Sequence, residues 1–129
     1  MTIAEFIYSV LLRPRPLRGI ADRLLRAIVP PAVDLHGIKL VMNPNDPVVS
    51  GAITLGVYEK PETRFFLSVC RQGMTYLDIG ANIGYYTALG ALRVGANGQV
   101  VAIEPDPECY EYLARTVAAN HFSNVSLVQ

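Results

Sequence analysis

The sequence predicts an α/β fold built on a parallel sheet, and two observations in its second half carry that prediction. Three strand-like runs, residues 74–79, 99–103 and 124–129, alternate with two helical runs, residues 83–94 and about 107–120. Glycine-containing turns punctuate the alternation at Gly80 to Gly84 and at Gly95 to Gly98. Strand, helix, strand, helix, strand is the pattern of a parallel sheet assembled by crossover helices.

Taken in chain order, residues 2–29 are helical in pattern and interrupted at Arg13-Pro14-Arg15-Pro16. The second piece, from Pro16 to Val29, sets Leu17, Ile20, Leu24, Ala27 and Ile28 on one face and arginines on the other, and Pro30-Pro31 ends it. It reads as a surface helix packed on the domain, with a basic amphipathic helix on a membrane or partner surface as the alternative. Alternation from Val33 to Met42, turning at His36-Gly37, predicts a small hairpin, and Asn43-Pro44-Asn45-Asp46-Pro47 a turn. A helix is expected from Pro61-Glu62 through Arg71, with Phe65, Phe66, Val69 and Cys70 as its core residues and Gln72-Gly73 as its stop.

The first parallel strand is Met74 to Ile79, and a helix rich in Ala, Leu and Tyr comes after it. Gln99 to Ile103 is apolar without interruption, as a strand covered on both faces should be. Asp106-Pro107 supplies an N-cap and a first-turn proline for the next helix, which sets Cys109, Leu113, Thr116, Val117 and Asn120 along one side. Asn124 to Gln129 begins a third strand.

Composition narrows the function. Of 129 residues, 51% are hydrophobic and 17% charged, so disorder is excluded. Eleven basic and eleven acidic side chains cancel, so no nucleic-acid partner is implied. Two cysteines, Cys70 and Cys109, form neither a disulfide framework nor a metal-ligand cluster, and a cytoplasmic location is expected. The apolar run Ile7 to Leu12 is too short to span a bilayer, and no basic segment precedes it as in a secretory signal.

Chemistry concentrates in Asp78-Ile79-Gly80-Ala81-Asn82-Ile83-Gly84, where a strand turns into a helix. Gly80 and Gly84 let a ligand approach the backbone, and Asp78 ends the strand facing it. Glu104, twenty residues after Gly84, ends the next strand and is placed to accept hydrogen bonds from both hydroxyls of a ribose. Each residue alone has a plainer explanation. A strand-end aspartate is often a cap or turn former, Gly-x-x-x-Gly recurs in ordinary turns, and Glu104 before Pro105 could be solvated. The joint spacing favours a nucleoside site.

An NAD-type dinucleotide site would want glycine where Asn82 stands, and Asp78 would face the pyrophosphate with the wrong charge. A ribose, an α-amino group and a sulfonium suit the site better, and S-adenosyl-L-methionine carries all three. Asp78 would then attract the amino group.

Tyr76 to Thr87 (Tyr-Leu-Asp-Ile-Gly-Ala-Asn-Ile-Gly-Tyr-Tyr-Thr) and Val101-Ala102-Ile103-Glu104-Pro105-Asp106-Pro107 resemble the FkbM-type methyltransferase family, as does the upstream Tyr58-Glu59-Lys60-Pro61-Glu62. The resemblance spans about residues 45–129. It implies a Rossmann-like methyltransferase fold and methyl transfer from S-adenosylmethionine to a hydroxyl on a sugar, lipid or secondary metabolite. By matching positions it places Asp78, Gly80 and Gly84 on the methionine side and Glu104 on the ribose, with Asn82 at the family's asparagine.

The expected organisation is an N-terminal helical and hairpin extension over residues 1–44, then the N-terminal half of a methyltransferase domain over residues 45–129, truncated after the third strand. A non-catalytic S-adenosylmethionine-binding fragment that needs a partner is the alternative. The outer edge of the first strand is expected to promote self-association unless the hairpin folds across it. The partner otherwise expected is a small-molecule substrate, and no metal is implied. A hydroxyl acceptor wants a general base, and none is assigned: His36, His121, Tyr85 and Tyr86 read as surface or packing residues.

Overall fold

The computed structural model describes Arg23 and residues 26–129, so the arginine-faced pattern of residues 2–29 lies almost entirely outside the described residues. The described residues divide into two compact units: residues 32–42 with 61–129, and residues 43–60 with the described residues before residue 32.

In the smaller unit, Arg26 to Ile28 are helical and the Arg26 guanidinium donates to the Asn45 side chain at 3.1 Å. Helix α1, Pro47–Thr54, stands where the sequence pattern predicts no helix. Asp46 caps it by accepting from the Val48 and Val49 N–H groups, both at 3.2 Å, and Pro47 occupies its first turn. The Val-Val-Ser-Gly-Ala-Ile-Thr after the proline mixes β-branched residues and glycine, which masks the helical period.

The larger unit begins with strands β1, Ala32–Leu35, and β2, Ile38–Val41, paired antiparallel with Leu35 opposite Ile38. His36 and Gly37 both have positive φ, 53° and 84°, the two-residue turn that suits twisted hairpins. The hairpin does not run along a sheet edge. Its second strand lies on the helix layer, where Val41 N–H donates to Thr116 Oγ1 at 3.1 Å and Lys39 N–H to Asn120 Oδ1 at 2.8 Å. Helical side chains thus satisfy the strand's outward N–H groups.

Helix α2, Lys60–Val69, buries Thr63 and leads into buried Cys70, with Phe66 half-buried between them. Phe65 is 69% exposed and Val69 44%, so two residues expected in the core lie outside it. The buried stripe Thr63, Phe66, Cys70 is offset by one position, because a threonine anchors it and apolar periodicity passes over threonine.

Strands β3 (Thr75–Ile79), β4 (Gln99–Ile103) and β5 (Val125–Val128) form a parallel sheet in the order β3-β4-β5. Helices α3 (Tyr85–Val94) and α4 (Pro107–Ala119) make the two crossovers. Tyr76 and Asp78 of β3, Val100 and Ala102 of β4, and Val125 and Leu127 of β5 alternate onto the packed face. Fully buried Leu113 anchors α4 there beside Ala81 and Ala102, a burial that contributes about 2–3 kcal/mol. The opposite face carries Leu77 at 54% exposure, Ile79 at 74% and Val128 at 44%. Coverage of β4 on both faces, expected from its apolar run, is therefore not seen among the described residues: Val100 and Ala102 are buried, Val101 and Ile103 only partly.

Candidate functional site

The carboxyl ends of β3 and β4 and the loop Gly80 to Gly84 form one cluster. Three of the five loop residues take positive φ: Gly80 at 79°, Asn82 at 50° and Gly84 at 92°. Asparagine tolerates this region better than other side-chain-bearing residues, and Asn82 Oδ1 also accepts from the Ile83 N–H at 2.7 Å.

The loop's N–H groups are all used inside the protein. Gly80 and Ala81 donate to the Ile103 carbonyl at 2.9 and 3.1 Å, and Gly84 donates to Ala81 at 2.9 Å. Asn82 donates to Glu104 Oε2 at 2.7 Å. The other Glu104 oxygen, Oε1, accepts from the Asp106 N–H at 2.9 Å. Glu104 is 7% exposed and ties the loop after β3 to the loop after β4. Spacing predicts a ligand contact for Glu104; the structure shows a clasp between two loops. Each carboxylate oxygen retains a second lone pair.

Asp78 is 8% exposed and points into the packed face, where Thr87 Oγ1 donates to its Oδ2 at 2.5 Å. The Tyr76 hydroxyl, two residues back on the same strand face, bonds to the same carboxylate. Burial pushes the Asp78 carboxyl above its ordinary value, the Thr87 and Tyr76 hydrogen bonds pull it back, and the Glu104 charge adds to the rise. Burial first, then the neighbouring Asp78, pushes the Tyr76 hydroxyl far up, which keeps it a donor. The motif reading gives neither Tyr76 nor Thr87 a place in the site. Their signal in the sequence is a polar residue inside an apolar helix and a tyrosine in period-2 register with Asp78.

The two glycines have different surroundings. A Cβ on Gly80 would meet no atom within 4 Å, so this backbone fronts open space. A Cβ on Gly84 would lie 2.8 Å from Leu113 Cδ1, so its missing side chain admits α4. The structure thus gives Gly84 a packing role beside the one expected from the motif. His36, in the hairpin turn, and His121, just past α4 at the amino-end side of the sheet, are both exposed and neither joins the cluster.

Strand order, crossovers and the acid-bearing turn together define the Rossmann-like fold of S-adenosylmethionine-dependent methyltransferases. A methyltransferase from Pyrococcus furiosus superposes with a TM-score of 0.51 at 28% identity, over 85% of this chain and 49% of that one. M. jannaschii TYW2, solved with AdoMet, shares the fold at a TM-score of 0.58 and 21% identity, over 75% of this chain and 41% of that one. Residues 63–129 match the model of the protein-L-isoaspartate(D-aspartate) O-methyltransferase family, and the chain belongs to that family.

The protein-L-isoaspartate O-methyltransferase of Methanothrix thermoacetophila is 36% identical over 58 residues, 45% of this chain and 28% of that protein. Protein-L-isoaspartate O-methyltransferase 1 of Archaeoglobus fulgidus is 38% identical over 58 residues, 45% of this chain and 27% of that protein. The chain thus spans less than a third of the length of the curated relatives it matches. The family found is not the FkbM-type family that the motifs resemble. Those motifs form a turn and the ends of two strands, local features that carry no information on a methyl acceptor. Among the described residues no helix is long and apolar enough to cross a membrane.

Proposed function

We propose that this chain binds S-adenosyl-L-methionine at the ends of β3 and β4, and that the protein transfers its methyl group to isoaspartyl carboxylates of proteins. One observation supports the cofactor most strongly: two buried carboxylates, Asp78 and Glu104, lie at the strand ends that flank a loop whose N–H groups are all consumed internally. Such a site offers a pyrophosphate no donors and adds two like charges, which disfavours a dinucleotide. It suits a ligand with a cationic amino group and ribose hydroxyls. Glu104 would receive the hydroxyls on its free lone pairs, Asp78 the amino group, and the open backbone at Gly80 and Asn82 the thioether region.

When bound, S-adenosylmethionine supplies an electrophilic methyl group. The chain's own contribution is alignment, since reacting atoms held ~3–3.5 Å apart recover most of the entropic barrier. Membership of the isoaspartate O-methyltransferase family supports this choice of acceptor. The free carboxylate of an isoaspartyl residue is ionised at neutral pH and needs no general base. That removes the demand that left His36 and His121 without a role, and it replaces the small-molecule hydroxyl expected from the motifs.

The test has two parts. Calorimetry should show S-adenosylhomocysteine binding and no NADH binding. Labelled methyl transfer by the protein should favour an isoaspartyl peptide over its aspartyl isomer and over sugar or lipid hydroxyls. NADH binding would reject the cofactor, and labelling of hydroxyl acceptors alone would reject the substrate class.

A further inference from the structure

We propose that Thr87 is a positioning residue of the cofactor site, its hydroxyl holding the Asp78 carboxylate ionised and oriented for the ligand's amino group. The inference rests on the cofactor assigned above and extends it to a residue that does not touch the ligand.

Helix α3 begins on Gly84, which has no side chain to cap it. Its third residue, Thr87, is fully buried, and its hydroxyl is 2.5 Å from Asp78 Oδ2. A side chain of β3 thus meets the first turn of α3, the helix that lacks a local cap. Threonine is stiff at χ1, and this stiffness fixes the direction of the bond. The groups acting on Asp78 are Tyr76 on its own strand, Thr87 on the helix above and Glu104 at the end of β4. Two of them donate hydrogen bonds and favour the ionised form. Glu104 opposes it, as burial does. With burial and a like charge both against ionisation, the carboxylate depends on these donors to remain an anion that attracts an ammonium group.

A purely structural cap would make the same bond, so the test must separate the two roles. Thr87→Val keeps shape and branching and removes only the hydroxyl. Two ligands are compared by calorimetry from about pH 5 to pH 8: S-adenosylhomocysteine, which carries the amino group, and 5′-methylthioadenosine, which lacks the amino-acid portion. We expect Thr87→Val to weaken S-adenosylhomocysteine about tenfold at neutral pH and to leave 5′-methylthioadenosine unchanged. The pH below which S-adenosylhomocysteine affinity falls should move upward. Thr87→Ser should restore both properties.

Tyr76→Phe, which removes the second donor, should shift the same two readouts less, and it decides the matter if Thr87→Val does not fold. Equal weakening of both ligands, or no change in either, would overturn the proposal while leaving the cofactor assignment intact. Failure of the wild-type chain to bind either ligand would overturn both.

Discussion

Replacing Glu104 by glutamine tests whether its carboxylate is a clasp as well as a ligand group. Both of its partners inside the protein are N–H donors, Asn82 at 2.7 Å and Asp106 at 2.9 Å. Glutamine can present its carbonyl to only one of them and must turn an NH2 group toward the other. One charge-assisted bond is lost and one partly buried N–H is left facing a donor. Hydrogen bonds to charged groups contribute about 1.5–3 kcal/mol, and an unsatisfied buried donor costs about 1–3 kcal/mol. These overlap, so about 3 kcal/mol is the expected loss.

For a domain of this size, about 4 °C of melting temperature corresponds to each kcal/mol, giving a fall of about 12 °C. Thermal unfolding measured by circular dichroism without ligand reads it directly. If Glu104 served the ribose alone, the glutamine variant without ligand would melt within about 2 °C of wild type, and the clasp would be refuted.

The glycine turn and the two aspartates respond to further perturbations. Gly84→Ala forces a Cβ to 2.8 Å from Leu113 Cδ1 at a φ of 92° and should cost about 2–4 kcal/mol, measured by urea unfolding; Gly80→Ala, strained in φ but unobstructed, should cost about 1–2 kcal/mol. Equal costs at the two positions would reject the packing role of Gly84. The pH dependence should differ in sign between the aspartates. Asp78 has a folded pKa above its ordinary value of 3.8, so its contribution is present below that value and is lost as pH rises through the folded one. Asp106 is held below 3.8, chiefly by the Cys109 N–H, so its contribution is present above 3.8 and lost as pH falls through the folded value. The stability of Asp78→Asn relative to wild type should therefore increase from about pH 4 to pH 7 in denaturant titrations. A constant difference would contradict the buried, raised carboxyl.

Much of the fold was legible because local signals agreed with the global one. The short apolar runs, the glycine turn and the Asp106-Pro107 cap each place an element of the parallel sheet, and all three strands pair as the crossover pattern requires. The same Asp-Pro pair occurs at Asp46-Pro47 and also starts a helix, although its sequence context predicts only a turn. Pro107 is succeeded by Glu-Cys-Tyr-Glu-Tyr-Leu, whereas Pro47 is succeeded by Val-Val-Ser-Gly. A cap says where a helix can begin. Only the residues after it say whether the pattern continues, and in α1 that pattern is faint. Phe65 lies outside the core for a related reason. Size and apolarity make a residue a candidate for the core, but the phase of a helix is set by all its contacts, here including a buried threonine bonded to the Tyr85 hydroxyl at 3.0 Å.

The two acids show where sequence stops. Asp78 and Glu104 each stand near the end of a strand beside the same turn, and spacing makes both candidates for one ligand without showing what holds either. In the folded chain they are not equivalent. Among the described residues Glu104 accepts from backbone N–H groups, which hold its oxygens between the two loops with lone pairs to spare. Asp78 accepts from side-chain hydroxyls beneath α3, and nothing in the motif itself tells which helix residue provides them. A group held by backbone is insensitive to most substitutions around it, whereas one held by hydroxyls can be released by losing a single oxygen atom. In the proposed site, substitutions in α3 should therefore tune the amino-acid end, and the ribose end should respond mainly to changes at Glu104 itself.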